Sequence, residues 1–117
     1  MQFNHIDLGV TDVVAAAAFF DFTLDHIMVN GSRAILDGAT GESLVLTHQP
    51  GPLTYPKNFH IGFLVETEQA VQTKHTELDQ AAIEGLSPIR RLRGSLLFYC
   101  QAPGAVLIEV AHRPNRS

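Results

Sequence analysis

Polar and apolar residues alternate with period two along FNHIDLGV at 3–10, with Ile6, Leu8 and Val10 on one side and His5, Asp7 and Gly9 on the other. That is the signature of a half-buried strand, and it turns His5 away from the apolar layer. The next run, VVAAAAFF at 13–20, is too continuous for such a strand. With Thr11 or Asp12 as a cap, it predicts a helix over 12–25 whose alanines and paired Phe19-Phe20 allow close packing on a sheet. Strands are predicted at 27–30, 32–37 and 42–48, punctuated by the turn signals Asn30-Gly31 and Asp37-Gly38 to Gly41. The order is β-α-β-β-β. The segment from Gln49 to Pro56, with three prolines, then reads as a linker.

The same order returns after the linker. NFHIGFLV sets Ile61, Phe63 and Val65 against His60, Gly62 and Leu64, so His60 is also off the apolar face. A helix is predicted over 67–84, capped by Thr67, striped by Val71, Leu78 and Ala82, and ended by Gly85. Three further strands fit behind it, including one at 95–101 and one at 105–112 around the tight turn Ala102-Pro103-Gly104. The two halves also match residue by residue. HIDLGV parallels HIGFLV, and LVLTHQP at 44–50 lies without a gap on IEVAHRP at 108–114, which sets Val45 where Glu109 stands. The chain thus reads as one module used twice, with one potential ligand in the first copy and two in the second. If the copies pack about a pseudo-twofold axis, His5, His60 and Glu109 occupy related strand positions and converge on one metal ion, with Val45 at a vacated fourth place. A carboxylate at 109 in an otherwise apolar strand needs a compensating partner, and a cation is one.

At 117 residues the chain fits one domain, residues 1–117, with repeats at about 1–50 and 57–114. It is small enough that pairing with a second copy would help. The single Cys100 forms no internal disulfide and no charged-then-apolar leader opens the sequence, so a cytoplasmic location is expected. The run at 13–20 is far short of the ~20 residues a membrane span requires. A formal charge of −4 with thinly spread basic residues argues against a nucleic-acid partner and leaves a small molecule as the expected one.

The duplicated β-α-β-β-β pattern, the opening His-Ile strand, HIGFLV in mid-chain and the closing FYCQAPGAVLIEVA resemble the vicinal oxygen chelate superfamily over nearly the whole chain. That superfamily includes glyoxalase I, fosfomycin-resistance thiol transferases, extradiol dioxygenases and bleomycin-binding proteins. The resemblance implies an α+β fold of two βαβββ repeats forming a cupped mixed sheet, commonly in a homodimer. In metal-dependent members the ligands come from the first strand, the start of the second module and the last strand, which map onto His5, His60 and Glu109. Two imidazoles and a carboxylate suit Zn, Fe, Mn, Ni or Co, with open positions for vicinal substrate oxygens.

Departures from the pattern narrow the choice. Glyoxalase I carries a fourth ligand, a Glu, near Val45, and valine cannot coordinate. Asp7 stands where the fosfomycin transferases have a small hydroxyl residue, and their potassium-binding loop is missing. The two-His-one-Glu pattern is nearest to the extradiol type, since Tyr99 precedes Glu109 by ten residues as a tyrosine does in that group. FFDFTLDH replaces the glycine or small linker that relatives place after the first helix. Tyr99 is the candidate to hydrogen-bond a substrate oxygen and His48 the candidate acid or base. Plainer roles stand beside these. Strand-initial histidines are often surface residues, Glu109 has Arg91 or Arg93 as possible ion-pair partners, and Tyr99 and His48 fit as a packed aromatic and a solvated strand end. The Arg90, Arg91 and Arg93 group is a solvated loop or an attractor of anionic substrate. Two function classes follow. One is a metal-dependent enzyme of dioxygenase-like or lyase/isomerase-like chemistry. The other is a metal-free, bleomycin-resistance-like binding protein, for which a chain with no Trp and two Tyr is poorly furnished.

Overall fold

A computed structural model describes residues 1–20, 24–104 and 106–114. Two compact units divide it, Met1–Thr54 with Pro103–Ala105 and Tyr55–Ala102 with Val106–Ser117, so the chain parts inside the expected linker.

In the first unit the strands are β1 (His5–Val10), β2 (Asp25–Val29), β3 (Arg33–Asp37) and β4 (Ser43–His48), with helix α1 (Val13–Phe19) after β1. The second unit repeats that order with β5 (His60–Leu64), α2 (Glu68–Gln80), β6 (Arg90–Leu92), β7 (Ser95–Gln101) and β8 (Leu107–His112). The sheets have the same topology, β1-β4-β3-β2 and β5-β8-β7-β6. In each, the first and last strands pair in parallel and the remaining pairs are antiparallel. The fold is therefore α+β, built of two βαβββ modules, as the periodicity predicts.

Alternation decides which face each helix covers. Leu8, Val10, Leu44, Leu46, Ala34 and Leu36 are buried on the helix side of the first sheet, against Val13, Ala16, Ala17 and Phe20. In the second sheet Phe98, Cys100, Ile108 and Val110 are fully buried on the side where Val71 and Leu78 of α2 lie. Burying these side chains is the main driving force for both modules, at about 1.5–3 kcal/mol for each large one. The opposite faces carry His5, Asp7, Val45 and Thr47 in the first module and His60, Gly62, Tyr99 and Glu109 in the second.

Helix ends differ from expectation. The Asp12 cap accepts the Ala15 amide at 3.0 Å as anticipated, but α1 stops at Phe19 instead of reaching 25. Phe20 leaves helical geometry at φ −86° and ψ 50° to become fully buried, and strand pairing resumes at Asp25. Residues 21–23 of the expected helix lie outside the described residues. Helix α2 likewise ends at Gln80, before Gly85. Ala82 adopts the left-handed conformation at φ 54°, its amide donates to Asp79 O, and the Ile83 amide donates to Leu78 O. That is the Schellman arrangement, with alanine where glycine is usual. Ala82 is accordingly exposed and not part of the expected apolar stripe.

Candidate functional site

Strand register builds the site from the repeat. On the open face of the second sheet, Glu109 of β8 sits between Gly62 of β5 and Tyr99 of β7. In the first sheet the matching cross-strand pair is Asp7 with Val45. The equivalence of Val45 and Glu109 inferred from sequence is thus a register equivalence. The first copy carries its carboxylate one strand over, on β1, where Asp7 accepts a hydrogen bond from the Thr47 hydroxyl at 2.7 Å.

Glu109 is 8% exposed, the one charged residue among the buried ones described. Its Oε1 lies 3.4 Å from His60 Nε2 and 3.5 Å from the Tyr99 hydroxyl, while Oε2 is 4.0 Å from an Arg113 guanidinium nitrogen. His60 Nδ1 is 3.1 Å from the Asn58 carbonyl oxygen. A carbonyl only accepts, so Nδ1 carries a proton and Nε2 is the nitrogen directed at the carboxylate oxygen. A nitrogen and a carboxylate oxygen so placed can share a proton or a metal ion.

Both alternatives have a characteristic distance. A charge-assisted N–H···O bond spans about 2.7–2.9 Å, shorter than the 3.4 Å seen. Two donors on one tetrahedral ion with bonds of about 2.0–2.1 Å stand about 3.3 Å apart. The pair is thus spaced so that it could share a proton or hold a divalent ion.

His5 heads the first module in the same manner. Its Nδ1 lies 3.1 Å from Asn4 Oδ1, and the residue is exposed on the face shared with Asp7. Among the described residues no group of three or more His, Cys, Asp or Glu side chains is gathered; the structure brings together His60 and Glu109. His48 ends β4 as an exposed residue whose parity is that of Leu44 and Leu46, opposite to Val45. Arg91 is not a partner of Glu109. It makes a bidentate pair with Glu68 at 2.8 and 3.1 Å, and that hydrogen bonding holds the Glu68 carboxyl below its usual range.

Tyr99 faces Glu109 across the β7–β8 pair and rests edge-on against His60, with ring centroids 5.8 Å apart. Burial first, then the Glu109 charge, push its phenol above the usual value, partly opposed by the charges of Arg90 and Arg113. Its backbone is clamped by Ser87, whose Oγ accepts the Tyr99 amide at 2.9 Å and whose amide donates to the Tyr99 carbonyl at 2.8 Å. A cavity of about 410 Å³ opens over this group, with Glu109, Tyr99 and Leu97 of the sheet and Leu92, Arg93 and Arg113 around it. Arg113 escaped the sequence reading, although Glu109, Ala111, Arg113 is the same alternation that located Glu109. Asn58 and Ser87 left no such signal, because Asn58 acts through its main-chain carbonyl and Ser87 through bonds to the main chain of Tyr99.

The duplicated modules, the second with a strand-borne His-Glu pair beside a cavity, define a class of proteins built on two βαβββ units. The chain belongs to the Glyoxalase/Bleomycin resistance protein/Dioxygenase superfamily, whose sequence model matches residues 2–110. It is similar to the structure of a possible glyoxalase from Bacillus cereus, with 31% identity over 94% of this chain and 97% of that one and a TM-score of 0.79. The fold is also shared with the fosfomycin resistance protein FosX from Listeria monocytogenes, at 21% identity, 98% and 95% coverage and TM-score 0.79. Lactoylglutathione lyase from Agrobacterium tumefaciens aligns at 18% identity, 95% and 92% coverage and TM-score 0.69. No curated protein sequence matches the chain. Among the described residues no helix is long and apolar enough to cross a membrane.

Proposed function

We propose that this chain is a divalent-metal-dependent enzyme that chelates vicinal oxygens of a small-molecule substrate through His5, His60 and Glu109. The observation that carries this reading is His60 Nε2 set 3.4 Å from a buried carboxylate oxygen, a spacing suited to a shared ion. The Asn58 carbonyl orients the His60 ring, as an outer hydrogen bond to a metal-binding imidazole does. His5 completes the set from the first module, of the same chain or of the partner copy in a homodimer. When bound, the ion (Fe, Mn, Ni, Zn or Co) supplies Lewis-acid stabilisation of negative charge on two adjacent substrate oxygens.

The protein's own groups do the remaining work. Burial keeps the Tyr99 phenol protonated at neutral pH, so it serves as a hydrogen-bond donor to a substrate oxygen and not as a base. Val45 contributes no ligand where Glu109 has its counterpart, which leaves a position for substrate and separates the site from a four-ligand glyoxalase arrangement. Dioxygenase-like and lyase/isomerase-like chemistry both fit such a site. His48, on the opposite face of β4 from Val45, takes no part in this scheme. The protein is expected to act in the cytoplasm.

Elemental analysis of untagged protein prepared without chelator tests the reading. About one metal per site is expected in the wild type, with loss in Glu109→Ala and in His60→Ala. A wild type that stays metal-free after incubation with each divalent ion would refute it and leave a metal-free, bleomycin-resistance-like binding protein in its place.

A further inference from the structure

The hairpin joining β6 to β7 contains an anomaly at the mouth of the cavity. Leu92 pairs with Ser95, so the loop is the two residues Arg93 and Gly94, at φ 53° and 82°. Two positive φ values in a two-residue loop make a type I′ turn, whose first position favours Asn, Asp or Gly because other side chains crowd the backbone there. Arginine is a costly choice at that position, and this one borders the cavity above Glu109. A non-glycine residue held in the left-handed region beside a site points to a use for its side chain.

Charge supplies the second observation. The whole chain is formally −4, yet Arg93 and Arg113 both line this cavity against the single carboxylate of Glu109. Arg90 adds to the bias, since it pairs in register with Leu97 on the same face and its charge reaches the Tyr99 phenol. Arg113 is only 4.0 Å from Glu109 Oε2, a loose contact that leaves guanidinium donors for another acceptor. Beside these cations the exposed Leu92 offers apolar surface, with the largely buried Leu97 at the cavity floor.

We infer that the cavity selects substrates carrying a carboxylate or similar oxyanion, held by Arg93 and Arg113, next to an apolar body that rests against Leu92. This rests on the proposed metal site for the direction in which the substrate's vicinal oxygens point, but the anion preference itself does not require the ion. Arginine suits the role because its planar fork accepts a carboxylate through two parallel hydrogen bonds.

A paired-probe titration tests the inference. Catechol and 3,4-dihydroxybenzoate offer the same adjacent oxygens and ring and differ by one carboxylate. Calorimetric affinities for both are measured on chelator-treated protein and on protein incubated with Co²⁺, whose visible spectrum separately reports metal binding. The carboxylated probe is expected to bind about tenfold tighter or more, equivalent to about 1.4 kcal/mol, with the ratio falling towards one in Arg93→Asn and in Arg113→Gln. Asparagine is the favoured residue for that turn, so lost preference in Arg93→Asn would not reflect a damaged fold. Equal affinities in the wild type, or a preference that survives in both variants, would overturn the inference whatever the cobalt spectrum shows. An absent cobalt spectrum with an arginine-dependent preference would instead refute the metal site and uphold the anion site.

Discussion

The end of α2 gives a sharp test of how local backbone geometry supports the site. Ala82 is at φ 54° and closes the helix, while Gly85 sits three residues on at φ 65°, where an added Cβ would meet Gln101 Cγ at 3.1 Å. A left-handed L-residue costs about 1–2 kcal/mol. Glycine removes that cost but loses about 0.4–1 kcal/mol more to unfolded-chain entropy. Ala82→Gly is therefore expected to stabilise the protein by roughly 0.5–1 kcal/mol, raising Tm by about 2–4 °C at this chain length. Its neighbour Ala81 has ordinary geometry at φ −82° and ψ 1°, so Ala81→Gly should do the opposite by about 0.5–1 kcal/mol. Gly85→Ala should cost about 1–2 kcal/mol from φ alone, and more from the Gln101 contact. Urea denaturation followed by far-UV circular dichroism, with unchanged m-values, reads all three. Equal or inverted effects for Ala81→Gly and Ala82→Gly would show that the helix does not end at Ala82. The matter reaches the site, because the chain leaving this cap carries Ser87, which clamps Tyr99 through two hydrogen bonds.

Other consequences are equally direct. Phe98 is fully buried and stacks edge-on with His75 at 5.0 Å, so Phe98→Ala should cost about 3–5 kcal/mol in the same denaturation assay; a loss below 1 kcal/mol would contradict the packing. Burial pushes the Cys100 thiol up to about 11, so it should resist alkylation at pH 8 until denaturant is added, and stoichiometric labelling of folded protein would refute its placement. Burial also raises both Tyr55 and Tyr99 above 10.0. Groups with raised folded values contribute stability that is complete below their unfolded values and lost as pH rises through the folded ones. Thermal stability should thus decline above pH 9, where the unfolded thiol begins to ionise, and tyrosinate absorbance should develop at higher pH in folded than in unfolded protein. Coincident titration curves would show that neither phenol is shielded.

Much of the architecture was legible in residue order because it follows from local periodicity. Alternation in HIDLGV and HIGFLV, the Asp12 and Thr67 caps and the Asn30-Gly31 turn each act within a few residues, and together they specify two βαβββ modules. The gap-free match of LVLTHQP with IEVAHRP set Val45 against Glu109 before any strand pairing was visible. Helix ends were less legible, since Phe20 leaves α1 for burial beneath the first sheet and Ala82 closes α2 in a conformation its type disfavours. Both outcomes depend on what the chain packs against next. The site divides along the same line. Alternation placed His60, Tyr99 and Glu109 on one face, but the 3.4 Å approach of Nε2 to Oε1 exists only because parallel pairing of β5 with β8 sets Gly62 beside Glu109. Arg91 and Arg93 look interchangeable in the sequence, yet one is locked to Glu68 across 23 residues and the other is held at the cavity by a type I′ turn. The candidate residues were written in the sequence; which of them meet was decided by strand register and turn handedness, properties that arise only when distant segments pair.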